Sequence, residues 1–343
     1  MSNRFPVTHS IPSTKAILSE IMPAYDVGRI VSCKLWSRSL NETYQVQTEE
    51  ARYILRIYRT SWRTRSDIQY ELDVLRHLTC KKIRVASPVL RRDGSVLHAI
   101  PAPEGERYVV LFTYAPGKDL AYNNNHMLAY HYGQAVARIH AAMDDFSSQY
   151  DRFALDLKHL IDTPLKVIEP ILSSREVDWE YLLQLADKLR SMVRVLPLQQ
   201  GFCHGDFHGW NAHVTEDKII TFFDFDCCGW GWQAYDIAVF RWGRRLESKE
   251  IEVACWPQFL KGYTALRALK ANDLKAIPLF VAIRHIWLLG LHTGNAHDWG
   301  FAFLGDAYFD RAIKFLKGWE TEFLSETKIE IEKFSSEEIK KNH

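Results

Sequence analysis

No Cys-x-x-Cys pair occurs in this 343-residue chain, and its six cysteines (Cys33, Cys80, Cys203, Cys227, Cys228, Cys255) frame no disulfide scaffold. In a chain of this size reduced thiols are the expected state. Net charge is lacking as well, with 43 Lys and Arg against 42 Asp and Glu. A nucleic-acid binder normally carries a basic excess or stripe, so the balance argues against that class of partner. No apolar run reaches bilayer length. The most apolar stretch, IPLFVAIRHIWLLGL (Ile277–Leu291), is broken by Arg284 and His285, and no membrane partner is expected. The opening MSNRFPVTHSIPST holds no apolar signal core, which points to a cytoplasmic protein.

What is present is the composition of a folded protein, 47% hydrophobic and 25% charged, long enough for two lobes with separate cores. Residues 1–29 read as an N-terminal extension and first helix. From Ile30 the pattern is mostly β. LNETYQVQT (Leu40–Thr48) and ARYILRIYR (Ala51–Arg59) are rich in β-branched and aromatic residues. Ser66–Leu78 switches to helical period through Ile68, Leu72, Leu75 and Leu78, with Ser66 as the expected N-cap. SVLHAI and RYVVLFTYA read as two further strands. Pro116-Gly117 then breaks the pattern, and HMLAYHYGQAVARIHAAM and YLLQLADKLRSMVRVL are helical. The expected division is 30–115 for a small strand-rich lobe, 116–324 for a larger helical lobe, and 325–343 for a charged, solvated tail. The class is α+β.

Chemistry concentrates in FCHGDFHGWNAHV (Phe202–Val214), where Asp206 and Asn211 stand five residues apart; Asp224 follows thirteen residues later, at the end of the apolar run IITFF. Phosphoryl transfer needs a carboxylate to accept the proton of the attacking hydroxyl, and amide and carboxylate oxygens for Mg²⁺. The order His204-Gly205-Asp206, then Asn211, then Asp224 follows the logic of a kinase catalytic loop. A zinc reading of His204, His208 and His213 with the nearby cysteines fails, because H-x₃-H-x₄-H matches no common zinc spacing. Seven of the eleven tryptophans fall between Trp210 and Trp299. Most suit packing, but Trp210, Trp230 and Trp232 flank the motif and could hold a cationic or ring-bearing acceptor.

The stretches HGDFHGWNAHV and FFDFDCCGWGWQAYDIAVF resemble the aminoglycoside phosphotransferase and choline kinase superfamily, protein-kinase-like enzymes that phosphorylate small molecules. The likeness is nearest to the branch of type II homoserine kinase and the stress-response kinase, and it runs from about Ile30 to Leu324. It implies a bilobal protein-kinase-like fold that uses ATP and Mg²⁺. Asp206 would be the catalytic base, Asn211 and Asp224 the metal ligands, and Asp226 a second metal or active-site carboxylate. Glu71 would orient Arg56 on the phosphates. Asn41, with Ser37, Ser39 and Thr43, would lie near the nucleotide, and Thr113 and Ala115 would offer backbone groups to adenine. His204 and Asp236 would brace the loop. His208, Trp210, Trp230, Arg284, Asp298 and Trp299 are the candidate acceptor contacts, with Arg284 suited to a carboxylate and Asp298 to an amine.

The departures carry information. Arg56 stands where the family often has Lys, and its planar fork can bind phosphate bidentately. No G-x-G-x-x-G or A-P-E motif is present, Gly205 precedes Asp206 where protein kinases have Arg, and Asp226 replaces the Gly of D-F-G. These features argue against a Ser/Thr protein kinase, the alternative reading; a nucleotide-binding pseudokinase is the other. The acceptor is a small hydroxylated molecule, whether an aminoglycoside, homoserine, amino alcohol, sugar or natural product. The absence of an acidic insertion disfavours polycationic antibiotics. The oligomeric state is expected to be monomer or homodimer.

Overall fold

Alternation of side chains along three strands builds the first part of the computed structural model, which describes residues 5–120 and 126–324. The expected tail, 325–343, lies outside the described residues. The described chain divides into two units. The first runs to Lys118 and takes in Asp145–Arg152 and Ala212–Asp226; the second comprises Asp119–Asp144, Phe153–Asn211 and the chain from Cys227 onward. The two later pieces of the first unit are marked by no local sequence pattern.

In the first unit, β1 (Ile30–Arg38), β2 (Asn41–Thr48), β3 (Arg52–Tyr58), β4 (His98–Ala102) and β5 (Gly105–Thr113) form an antiparallel sheet in the order β1-β2-β3-β5-β4. Strand side chains alternate between faces. Tyr44, Val46, Leu55, Ile57, Val109 and Leu111 therefore share one face, where Ile17, Ile21, Met22 and Tyr25 cover them. Arg56 and Tyr58 turn to the other face, toward α2 (Arg65–Cys80), the helix that follows the three-residue α1 (Thr14–Ala16).

The N-cap of α2 is Thr64, not the expected Ser66. Thr64 Oγ1 accepts from Asp67 N–H and Asp67 returns the bond to Thr64 N–H, a reciprocal capping box. Ser66 instead donates to the Asp151 carbonyl. Residues 145–152 run along α2: Phe146 packs edge-on against Tyr70, Ser148 donates to Asp73, and Arg152 donates to the Asp67 carbonyl. After the short β6 (Lys118–Asp119) comes the unit's last piece, a hairpin of β9 (Ala212–Val214) and β10 (Ile220–Phe222) whose end carries Asp224 and Asp226. Gly117, at φ +102°, lies so near the Val214 carbonyl that a Cβ would stand 2.2 Å from it, which excludes any other residue.

The second unit is helical: α3 (His126–Ala142), α4 (Thr163–Leu172), α5 (Glu176–Arg194), α6 (Gln233–Glu247), α7 (Lys249–Thr264), α8 (Ala271–Gly294), the short α9 (Ala296–Trp299) and α10 (Asp306–Trp319). A three-stranded sheet, β7 (Ala154–Leu155), β11 (Gly229–Trp232) and β8 (Gln200–Cys203), supports the loop that follows β8. By length and composition α8 could cross a bilayer, contrary to the reading that its apolar run is too short. However, 72% of its most apolar window is buried among the other helices. It is a core helix, and Arg284 and His285 lie inside protein.

Candidate active site

The loop after β8 is held from beneath by Asp236, in the first turn of α6. Its carboxylate accepts from the backbone N–H groups of His204 (2.6 Å) and Gly205 (2.7 Å), and from His140 Nε2 at 3.2 Å. Bonds from a charged acceptor contribute about 1.5–3 kcal/mol each, so this one side chain largely sets the loop. His204, expected as a brace, stacks on Phe207 (4.4 Å between centroids) and accepts from Asp206 N–H at Nδ1 (3.2 Å). Gly205 has φ +80°, and a Cβ there would lie 2.3 Å from the Cys227 carbonyl. The contact explains why glycine stands where protein kinases carry arginine.

Asp206 is gripped from three sides within the second unit. Arg284 on α8 ion-pairs with Oδ1 and donates to the Gly205 carbonyl at 3.2 Å. Asn211 Nδ2 donates to Oδ2 at 2.9 Å, and His208 Nε2 lies 3.2 Å from the same oxygen. Trp210 N–H donates to His208 Nδ1, so the proton of the neutral ring sits on Nε2, facing Asp206. Burial by itself would raise the pKa of Asp206, but Arg284, His208 and His204 outweigh it and hold the carboxyl well below the usual range. Asp206 is thus an anion at every physiological pH. Arg284 was expected to meet a substrate carboxylate. In the structure it is buried, stacked between Trp242 and Trp287 and committed to Asp206.

In the first unit, Arg56 joins two carboxylates, Nη1 to Glu71 at 3.0 Å and Nη2 to Asp224 at 2.9 Å. Tyr58 Oη donates to the other oxygen of Glu71. Although burial works against its charge, Asp224 and Glu71 keep Arg56 cationic. Its contacts are those of a buried, oriented group. Asp224 has φ +63°, a left-handed conformation that few residues other than glycine adopt. Its side chain is 43% exposed, with one oxygen not taken by Arg56. Asp226 is the opposite case, nearly fully buried. Asn41 Nδ2 (2.9 Å), Trp62 Nε1 (2.6 Å) and Arg63 Nε (2.6 Å) bond its carboxylate; Arg63 and Arg152 bond its carbonyl. Burial raises its pKa, and Arg63, Arg56 and Arg152 pull it down to about 2.

The remaining expected residues divide. Asn41 gives its amide to Asp226 and accepts from Arg59 N–H, so both of its ends are engaged. Thr113 N–H bonds the Ser87 carbonyl and the Ala115 carbonyl receives His213 Nδ1. The Thr113 carbonyl and Ala115 N–H, the pair a purine edge would use, are not among those bonds. Trp210 and Trp230 are exposed. Asp298 and Trp299 lie on α9, with Trp299 facing His292 at 6.0 Å. Sequence reasoning passed over Trp62, Arg63, Arg152 and His140; only the cation-rich YRTSWRTR offered a signal.

Among the described residues no three His, Cys, Asp or Glu side chains cluster to hold a metal. Asn211 and Asp224 each carry an oxygen of the kind that a hard divalent cation takes. The amide of Asn211 turns its nitrogen to Asp206, leaving the oxygen as the unengaged end, and Asp224 keeps a carboxylate oxygen beyond Arg56. Oxygen ligands this few are what Mg²⁺ takes from protein when phosphates and water complete the shell.

Asp206 and Asn211 in the second unit, and Asp224 in the first, are thus each held in a defined setting. Residues 33–269 match the model of the phosphotransferase enzyme family, and the chain belongs to that family. It is 37% identical to an uncharacterised protein of Deinococcus radiodurans over 92% of both chains. It is 27% identical to the amicoumacin kinase of Bacillus subtilis, over 73% of this chain and 76% of that one. The homoserine kinase of Neisseria meningitidis is also 27% identical, over 75% and 81%. Among solved structures, an amicoumacin kinase in complex with AMP-PNP and Ca²⁺ aligns with a TM-score of 0.76 at 25% identity, over 91% of this chain and 94% of that one. A microcompartment-associated aminopropanol kinase aligns at 0.73 and 26%, over 91% and 98%. The protein is therefore an enzyme, a phosphotransferase of the protein-kinase-like fold.

Proposed function

We propose that the enzyme transfers the γ-phosphoryl group of ATP to a hydroxyl of a small amine-bearing acceptor, an amino alcohol, a homoserine-like amino acid or an amine-containing natural product. The observation that carries this reading is the fixed carboxylate of Asp206, paired with Arg284 and bonded by Asn211 at Oδ2. Relatives named for amicoumacin, homoserine and aminopropanol support the acceptor class. Arg284, spent on Asp206, is not available to an acceptor carboxylate.

Mg²⁺, held by Asn211 and Asp224, would neutralise the phosphates of bound ATP. Asp206 accepts a hydrogen bond from the acceptor hydroxyl and aims its oxygen at the γ-phosphorus. As the new O–P bond forms and the bond to the β-phosphate oxygen breaks, ADP leaves and the hydroxyl proton passes to Asp206. A carboxylate with so depressed a pKa is a weak base, so the proton moves late and the residue acts chiefly by orientation. Arg56, steadied by Glu71, contacts the α- and β-phosphates, and the Thr113 carbonyl and Ala115 N–H receive adenine. His204 and Asp236 keep the loop in place. Trp210, Trp230, His208, Asp298 and Trp299 are the acceptor-side candidates. We read its compartment as the cytoplasm, where ATP is at hand and the six free cysteines stay reduced.

The test is ADP release from purified protein with ATP and Mg²⁺ against a panel of amino alcohols, hydroxy amino acids, amine-bearing antibiotics and a generic protein substrate. Acceptor-dependent turnover within the amine-bearing small molecules is the expected result. Phosphorylation of the protein substrate alone would overturn it.

A further inference from the structure

We propose that Asp226 is a positioning residue, the centre of a buried clamp that holds Asp224 in its left-handed conformation, and that it is not itself a metal or substrate ligand. The inference rests on the reading of Asp224 as a metal ligand. Its ground is the burial of Asp226 and the engagement of both its carboxylate oxygens and its carbonyl. Oδ2 accepts from Asn41 and Trp62, Oδ1 from Arg63, and the carbonyl from Arg63 and Arg152. A carboxylate has about four lone-pair directions; with three N–H donors on it and only 3% of the residue exposed, Asp226 presents no oxygen to a cation in solvent.

The donors come from three separate stretches of the first unit. Asn41 opens β2, Trp62 and Arg63 lie between β3 and α2, and Arg152 closes the segment that runs along α2. Asp226 therefore ties the end of the β9–β10 hairpin to the frame that also carries Arg56 and Glu71. Two residues upstream, Asp224 sits at φ +63°, and among the described residues only Arg56 bonds its carboxylate. For a residue other than glycine such a backbone costs about 1 kcal/mol or more and persists where the surrounding structure over-determines it, although aspartate tolerates it better than most. β10 pairing with β9 holds the upstream side, Ile220–Phe222. The clamp on Asp226 holds the other.

The experiment uses the full chain with Asp226→Asn and Trp62→Phe; the second removes one 2.6 Å bond and leaves every charge in place. Mn²⁺ bound in the presence of AMP-PNP is counted by electron paramagnetic resonance, and amide hydrogen exchange at residues 224–227 is followed without ligand. The clamp predicts an unchanged number of Mn²⁺ ions per chain, with affinity weakened about 10–100-fold in Asp226→Asn and less in Trp62→Phe. It also predicts exchange faster by about tenfold in both variants. Loss of one bound Mn²⁺ in Asp226→Asn with the other unaffected would make Asp226 a ligand and overturn the proposal, as would unchanged exchange. If Asp226→Asn does not fold, Trp62→Phe carries both measurements. If the wild type binds no Mn²⁺–AMP-PNP, the phosphotransfer reading fails by itself, and hydrogen exchange still decides for or against the clamp.

Discussion

Replacing Arg284 by methionine should destabilise the protein strongly at pH 8 and much less at pH 5. Both partners of the Arg284–Asp206 pair are largely shielded, with 3% and 17% of their side chains exposed. Methionine leaves a buried carboxylate without its main counter-charge, a loss of about 3–5 kcal/mol for pairs of this kind. In the wild type, burial raises the Asp206 pKa and Arg284 is the first of the groups that pull it down. A depressed folded pKa contributes stability above the unfolded value, lost only as pH falls through the folded one. Without Arg284, burial is opposed by His208, His204 and the Asn211 hydrogen bond alone among the groups described above, and the folded pKa rises. Between that raised value and the unfolded carboxyl at about 4, the variant binds a proton that the wild type does not. The stability gap should therefore close by up to about 1.4 kcal/mol per pH unit through that window. Urea unfolding, followed by the fluorescence of the eleven tryptophans at pH 8, 6.5 and 5, measures the gap. Turnover should show the same event as an acid limb moved to higher pH. A gap that stays constant across these pH values would refute Arg284 as the charge partner of Asp206.

Three further outcomes follow from local geometry. Gly205→Ala places a Cβ 2.3 Å from the Cys227 carbonyl at positive φ and should abolish activity and lower the thermal midpoint; near-normal turnover would mean that the loop is softer than its hydrogen bonds imply. Thr64→Ala removes one arm of the capping box and should cost about 1 kcal/mol in urea unfolding with kcat unchanged. Glu71→Gln weakens the anchor of Arg56 and should raise the KM for ATP about tenfold, by the loss of one charge-assisted contact, while acceptor KM stays fixed; steady-state kinetics with each substrate varied separates the two.

Much of the local structure was legible because its signal is local. The β-branched and aromatic residues of YILRIY marked a strand, and the spacing of Ile68, Leu72 and Leu75 marked α2. Asp206, Asn211 and Asp224 announced themselves by order and spacing. The partners of those residues did not, because they come from far along the chain. Arg284 is 78 residues from Asp206 and sits in an apolar helix, where it read as a substrate contact. Arg152 reaches Asp226 across 74 residues from an unremarkable loop. The N-cap was misplaced by two residues because Thr64 and Ser66 are both good caps, and only the return bond from Asp67 decides between them. The apolar run of α8 was read as too short for a bilayer; its length would serve, and most of its apolar window is buried inside the fold.

The central claim is that Asp206 orients the acceptor hydroxyl for attack on ATP. Single-turnover phosphoryl transfer by Asp206→Asn, with an acceptor found in the panel and with AMP-PNP binding measured on the same preparation, tests it most directly. The account predicts nucleotide affinity within about threefold of wild type and transfer slowed by at least about a thousandfold, consistent with loss of a group that acts only in the transition state. Transfer at a rate near that of the wild type would contradict it.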